Sequence, residues 1–186
     1  MNSLISLHNA TFEKVEKLSP LLPTLARFVF AAVLMVYFWN SGLTKLGDGV
    51  FGILSPSTGA YAQIFPKAFE AVGYDSSQLS LFHRVVVTGG TIAEFVLPLQ
   101  IALGLFTRLA ALGMIGFTMV QSLTDLYGHG GWDHIETVGA WFDRHSDALL
   151  LDQRAFWVFL LLLLVVKGAG PLSLDRLLSR RTSPNG

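Results

Sequence analysis

The chain has no cysteine among its 186 residues, so disulfides, thiolate nucleophiles, Cys-ligated zinc and iron–sulfur clusters are all excluded. Any redox chemistry must then rest on a borrowed cofactor or a partner. Charge is scarce too: Asp, Glu, Lys and Arg make up 14% of the residues, against roughly 25% in an ordinary soluble domain. Thirteen acidic residues balance thirteen basic ones, leaving no global field and no basic arm for nucleic acid. No pair of histidines sits within the apolar stretches at the spacing of a bis-histidine haem. The N-terminus also lacks a secretory signature. Its first apolar run starts late, and Trp39-Asn40-Ser41-Gly42 is not a small-x-small cleavage site, so the first apolar segment is expected to be retained.

Apolar length is what the chain has in abundance. Four stretches, about residues 25–46, 83–103, 107–126 and 149–168, approach the roughly 20 residues needed to cross a bilayer. The fourth is the shortest in uninterrupted apolar core, residues 155–166, and is lengthened by Leu149 to Leu151 and stopped by Gly168-Ala169-Gly170-Pro171. The expectation is an all-α membrane protein, a four-helix transmembrane bundle forming one domain over residues 1–186. Ahead of the first span, Leu4, Ile5, Phe12, Val15 and Leu18 alternate with Glu13, Lys14, Glu16 and Lys17, a spacing that suits a helix lying on the membrane surface, closed by Pro20 and Pro23.

The connections set the topology. Residues 104–107 are too few for anything but an antiparallel turn between spans two and three. About 35 residues join spans one and two; their apolar, aromatic stretch at residues 61–69 is expected to pack on the membrane surface and is a candidate lid. A polar loop runs from Gly128 to about Ala148. Basic residues favour both termini inside: Lys14, Lys17, Arg27, Arg108, Lys167, Arg176, Arg180 and Arg181 there, against Lys45, Lys67, Arg84, Arg144 and Arg154 on the loop side. Both long loops then face the periplasmic or external side of a bacterial inner membrane.

Ionisable groups within lipid are costly, so those present mark function or structural pairs. Glu94 stands about eleven residues into span two, near mid-membrane, with two readings: an ion pair with Lys45 or Arg27, or a proton-handling or ligand-binding carboxylate. Arg27, at the other end of span one from Lys45, is expected to snorkel inward. Thr118, Gln121, Ser122 and Asp125 form one polar stripe at i, i+3, i+4 and i+7, which His129 extends. Asn40, Ser41, Thr44 and Lys45 form a second patch. His83 and Glu94, eleven residues apart, lie within about 20 degrees on their helix with Thr91 between them. All fall in the outer halves of their spans, which predicts a pocket opening outward. Hydroxyls and amides in such positions also bond helix to helix in any membrane bundle. His129, Asp133 and His134 in a glycine-rich segment are candidate ligands for a transition metal, although His-x4-His matches no strong metal motif. Gly89, Gly90, Gly113 and Gly116 allow close helix packing, within one chain or between chains, so oligomeric state is not readable.

Three segments together resemble one family. Phe38-Trp39-Asn40-Ser41-Gly42-Leu43-Thr44-Lys45-Leu46, Ala93-Glu94-Phe95-Val96-Leu97-Pro98-Leu99 running into Gly104-Leu105-Phe106-Thr107-Arg108-Leu109-Ala110, and Gly168-Ala169-Gly170-Pro171-Leu172-Ser173-Leu174-Asp175 are similar, in order and spacing, to the DoxX family of small bacterial membrane proteins. The resemblance implies a four-helix bundle in the inner membrane, related to the membrane subunit of a thiosulfate:quinone oxidoreductase, with polar landmarks at Arg27, Lys45 and Glu94. Two functions follow as expectations. One is a redox subunit in which Glu94, Lys45 and Asp125 handle protons, His83, Gln121, Asn40 and Thr91 hold a quinone headgroup, and an external protein partner supplies electrons. The other is a non-catalytic capture or transport component for a metal ion or small solute, using Asp125, His129, Asp133 and His134 at the outer face.

Overall fold

A computed structural model of the chain describes residues 2–182, with side chains for residues 4–180. Arg181, counted above with the inner basic residues, therefore lies outside the described side chains. Every regular element among the described residues is helical. In chain order they are α1 (Asn2–Glu16), α2 (Leu22–Phe30), α3 (Val36–Leu43), α4 (Thr58–Ile64), α5 (Pro66–Ala71), α6 (Leu81–Leu103), α7 (Thr107–Leu123), α8 (Ile135–Val138), α9 (Ala155–Lys167) and α10 (Leu174–Thr182). Three π-helical turns extend them: Ala31–Met35 joins α2 to α3, Thr124–Gly128 prolongs α7, and Leu149–Arg154 opens α9.

Four helices are long and apolar enough to cross a membrane, ending at Leu43, Leu103, Gly128 and Lys167. Only 17–33% of their most apolar windows is buried in the chain itself, so most of that apolar surface is left for lipid. The α2–α3 segment packs on α6 and on α9, α6 on α7, and α7 on α9, closing a ring of four. Its core is Phe30, Leu34, Phe38, Ile101, Met114, Leu161 and Leu164 around Ala26, Ala110 and Ala111. Phe38 meets Phe117 and Trp157 edge-on at centroid distances of 5.8 and 6.1 Å.

Several local expectations change. Pro20 and Pro23 do not end a helix. They occupy first-turn positions, of a 3-10 turn at Ser19–Leu21 and of α2, where a missing N–H costs nothing, and the chain passes almost directly from α1 into the first span. That span stops at Leu43, so Lys45 sits in the turn beyond it. The stretch at residues 61–69, expected on the membrane surface, folds as α4 and α5 and packs on the bundle, with Ala60, Tyr61 and Phe69 buried beside Val87 of α6. Arg27 does not snorkel. It is 7% exposed and donates from Nε to the Ile101 carbonyl (2.8 Å), from Nη2 to Ala102 (2.6 Å), and from Nη1 to Ala169 (2.9 Å) and Leu172 (2.6 Å). Carbonyls at the end of α6 lack the regular i+4 partner, and the guanidinium fork adds donors to them while opposing the helix dipole. Nearby, both carboxylate oxygens of Asp175 accept the first backbone N–H groups of α7, from Phe106 (2.7 Å) and Thr107 (2.9 Å). The first turn of α10 thereby locks the α6–α7 turn.

Candidate functional site

A cavity of about 450 Å³ lies between α6, α7, the end of the first span and α4. Its origin is compositional: Gly89 and Gly90 on α6 and Gly113 and Gly116 on α7 all line it. Gly113 serves close packing, since a Cβ there would stand 3.1 Å from the Leu97 side chain, but Gly89 and Gly116 do not. A Cβ placed on Gly89 or Gly116 meets nothing within 4 Å. The missing side chains leave a void, walled on its apolar sides by Ile64, Val86, Leu97, Phe117 and Val120. Gly89 and Gly116 are themselves exposed and stand near the middle of their helices, and Gln63, Asp125 and His129 line the cavity toward the loop end.

One wall carries the charged cluster. Lys45 Nζ lies 2.9 and 3.0 Å from Glu94 Oε1 and Oε2, with both side chains nearly fully buried. Ser41 Oγ accepts from Lys45 Nζ at 2.7 Å and donates to Glu94 Oε1 at 2.9 Å, while the Ser41 carbonyl takes a further ammonium hydrogen at 3.1 Å. The three ammonium hydrogens are accounted for by Ser41 and Glu94, but the carboxylate, with about four acceptor positions, keeps capacity toward the cavity. Of the alternatives for Glu94, the geometry gives a Lys45 pair, and gives it on the wall of an open cavity and not in a solid core.

Backbone chemistry reinforces that wall. Pro98 sits inside α6, four residues after Glu94, and has no N–H to donate to the Glu94 carbonyl. Trp39 Nε1 donates to the neighbouring Phe95 carbonyl at 3.1 Å, steadying α6 at this interruption. Gly42 gives room for the Phe95 ring, whose edge would lie 2.7 Å from a Cβ there. The Phe-Trp-Asn-Ser-Gly run and the Glu-Phe-Val-Leu-Pro run are thus two sides of one contact.

The remaining candidates separate. Gln121 and Asp125 line the cavity, with Gln121 Nε2 donating to Tyr37 Oη at 3.1 Å and Gln121 Oε1 buried without a partner. Asp125 is ion-paired: Arg154 Nη2 approaches Asp125 Oδ2 at 2.6 Å and Nη1 donates to Ser122 Oγ at 2.9 Å. This clasp joins two π-helical turns, where the irregular ladder re-aims side chains that a regular helix would direct elsewhere. Arg154 is 3% exposed, and nothing in its sequence position among polar loop residues signalled burial.

Asn40 is exposed and lines no part of the cavity. Thr91 is fully buried with its hydroxyl on the Val87 carbonyl, and His83 bonds Ser80 (2.8 Å) and packs on Phe65. Thr118 likewise turns back to the Met114 carbonyl. Helical phase placed these groups on a shared face, but hydroxyls in a membrane helix are readily satisfied by their own backbone. His129, Asp133 and His134 do not converge. His129 Nε2 is 3.0 Å from the Gln63 carbonyl, tying the end of α7 to α4; His134 approaches Glu136 (3.5 Å), and no group of three His, Asp or Glu side chains able to hold a metal occurs among the described residues.

Comparison with known proteins identifies a family. No curated protein and no solved structure matches the chain. The DoxX family model matches residues 22–124, just over half the sequence, a stretch that holds Arg27, Ser41, Lys45, Glu94, Pro98 and Gln121 and stops short of Asp125 and the fourth span. With four helices fit to cross a bilayer and the Lys45–Glu94 pair inside the matched stretch, the chain is a multi-pass membrane protein that belongs to the DoxX family.

Proposed function

We propose that this protein is the quinone-binding membrane subunit of a redox system, folded as one domain in a bacterial inner membrane with both termini cytoplasmic. The observation that carries the reading is the glycine-formed cavity with the Lys45–Ser41–Glu94 cluster on its wall. Its apolar sides suit a ring and its tail. Its lining extends to glycines near the middle of two membrane-crossing helices, a depth that favours a lipid-soluble quinone over a hydrated ion.

In this reading Lys45 and Ser41 hold Glu94 in place, the carboxylate keeps acceptor capacity for a quinol hydroxyl, and the Gln121 amide lines the same cavity. Reduction of a quinone to its quinol takes two electrons and two protons. The electrons come from a redox protein docking on the loop side, since this chain has no thiol of its own. Glu94 is the carboxylate positioned to exchange protons at the ring, with Asp125 and His129 on the same cavity toward the loop end.

The test is to purify the protein in mild detergent and quantify extracted quinone, comparing wild type with Glu94→Gln. The expected result is near-stoichiometric quinone in the wild type and a loss of at least tenfold in a variant that remains folded. Equal and substoichiometric quinone in both would overturn the reading.

A further inference from the structure

A second groove, of about 480 Å³, lies at the opposite end of the bundle, where the α6–α7 turn, the end of α9 and α10 meet. Three cations from three separate elements line it: Arg108 in the first turn of α7, Lys167 in the last turn of α9, and Arg176 in α10. All three side chains are exposed. The Arg108 guanidinium lies across the Gly168 backbone, its Nε 3.3 Å from where a Cβ would stand.

Among the described residues Asp175 is the one acid on the groove, and both of its oxygens already accept N–H groups from Phe106 and Thr107. The buried Arg27 cation stands just behind, bonded to the Ala169 carbonyl of the groove's own wall. A positive excess therefore faces a concave surface.

We infer that this groove binds a phosphate group, carried by the headgroup of an anionic phospholipid or by a soluble phosphate compound. Guanidinium forks from Arg108 and Arg176 and the Lys167 ammonium are the donors such oxygens take. The groove's position favours the lipid. It lies where three membrane-crossing helices end, at headgroup level, and basic pockets between such ends recruit anionic lipids. This site is separate from the cavity of the proposed quinone reading and stands or falls without it.

The experiment uses the full chain in mild detergent, with native mass spectrometry counting bound phosphatidylglycerol against phosphatidylcholine, and a parallel arm titrating inorganic phosphate by thermal shift. Arg108→Gln/Lys167→Gln is the test variant, and Lys67→Gln/Arg144→Gln, on the other end of the molecule, is the control for general charge. The site predicts one tightly held phosphatidylglycerol, or saturable inorganic phosphate at millimolar concentration, weakened at least tenfold in the test variant and unchanged in the control. Lipid retention with no response to inorganic phosphate identifies a headgroup; a saturable response without lipid retention identifies a soluble phosphate. Equal binding of the two lipids with no phosphate response, or equal weakening in both variants, overturns the inference.

Discussion

Filling the cavity from its glycines separates a functional void from a packing defect. Gly89 and Gly116 lie in helix interiors, where glycine is less favourable than alanine by about 0.5–1 kcal/mol. A Cβ at either position meets nothing within 4 Å, so Gly89→Ala and Gly116→Ala relieve that cost without a steric penalty. Together they are expected to raise stability by about 1–2 kcal/mol if the two sites are additive. The double Leu variant adds a larger apolar group at each site, projecting into a space of about 450 Å³. Its stability is expected to stay at or above that of wild type, while binding of a short-tailed benzoquinone falls at least tenfold. Thermal unfolding in detergent measures the first quantity and equilibrium binding of the benzoquinone the second. If the Leu variant binds as well as wild type, the cavity is not the site; if the Ala variants are destabilised, the helices close over the glycines and the void is not present in solution.

Other perturbations follow from the same contacts. Glu94→Ala leaves the Lys45 ammonium buried and uncompensated and should cost about 3–5 kcal/mol, whereas Lys45→Met/Glu94→Leu should recover most of that loss, as chemical unfolding of the three proteins would show. Recovery absent from the double variant would mean that the pair does not act as a unit. Arg27→Lys keeps the charge but not the fork that reaches four carbonyls, and should destabilise by about 2–4 kcal/mol in the same assay. Gly104→Ala meets both a positive φ of 69° and the Arg27 guanidinium, 2.6 Å from the added Cβ, and should cost more than the about 1 kcal/mol of the left-handed conformation alone. The Asp75 carboxyl is held below its usual range, chiefly by the Ser77 hydroxyl and then by the Gln78 side chain. Its folded value is depressed, so its turn is intact above the ordinary carboxylate range and loosens as pH falls through the lowered value; a carboxyl carbon NMR titration reads this directly.

What the sequence made legible was governed by long-range repetition of apolar residues. Four spans and the short antiparallel turn at residues 104–107 follow from run length, and the DoxX resemblance placed Lys45 and Glu94 as landmarks before any geometry was known. Within a span, helical phase says which face a residue shares but not whether that face meets a neighbour, a void or its own backbone. Thr91, His83 and Asn40 share a phase with the site or adjoin it in sequence, yet are satisfied locally or face outward. Two features depended on irregular backbone. The Asp125–Arg154 clasp bridges two π-helical turns, and no 3.6-residue period anticipates where such a turn aims its side chains. Pro98, inside an otherwise regular α6, removes the donor to the Glu94 carbonyl, a signal present in the sequence as a spacing of four. The glycines were visible as well. Small residues in a membrane helix serve either contact or vacancy, and only the distance to the next atom distinguishes the two.

The central claim, that the space between α6 and α7 receives a quinone, is tested most directly by photolabelling. A photoreactive quinone added to native membranes containing the full-length protein is cross-linked, and the adducts are mapped by peptide mass spectrometry. The account predicts adducts confined to the cavity wall, on residues 86–97 and 113–121, and competed away by unlabelled quinone. Adducts spread over lipid-facing positions such as Phe28, Val33 and Phe159, with no competition, would contradict it.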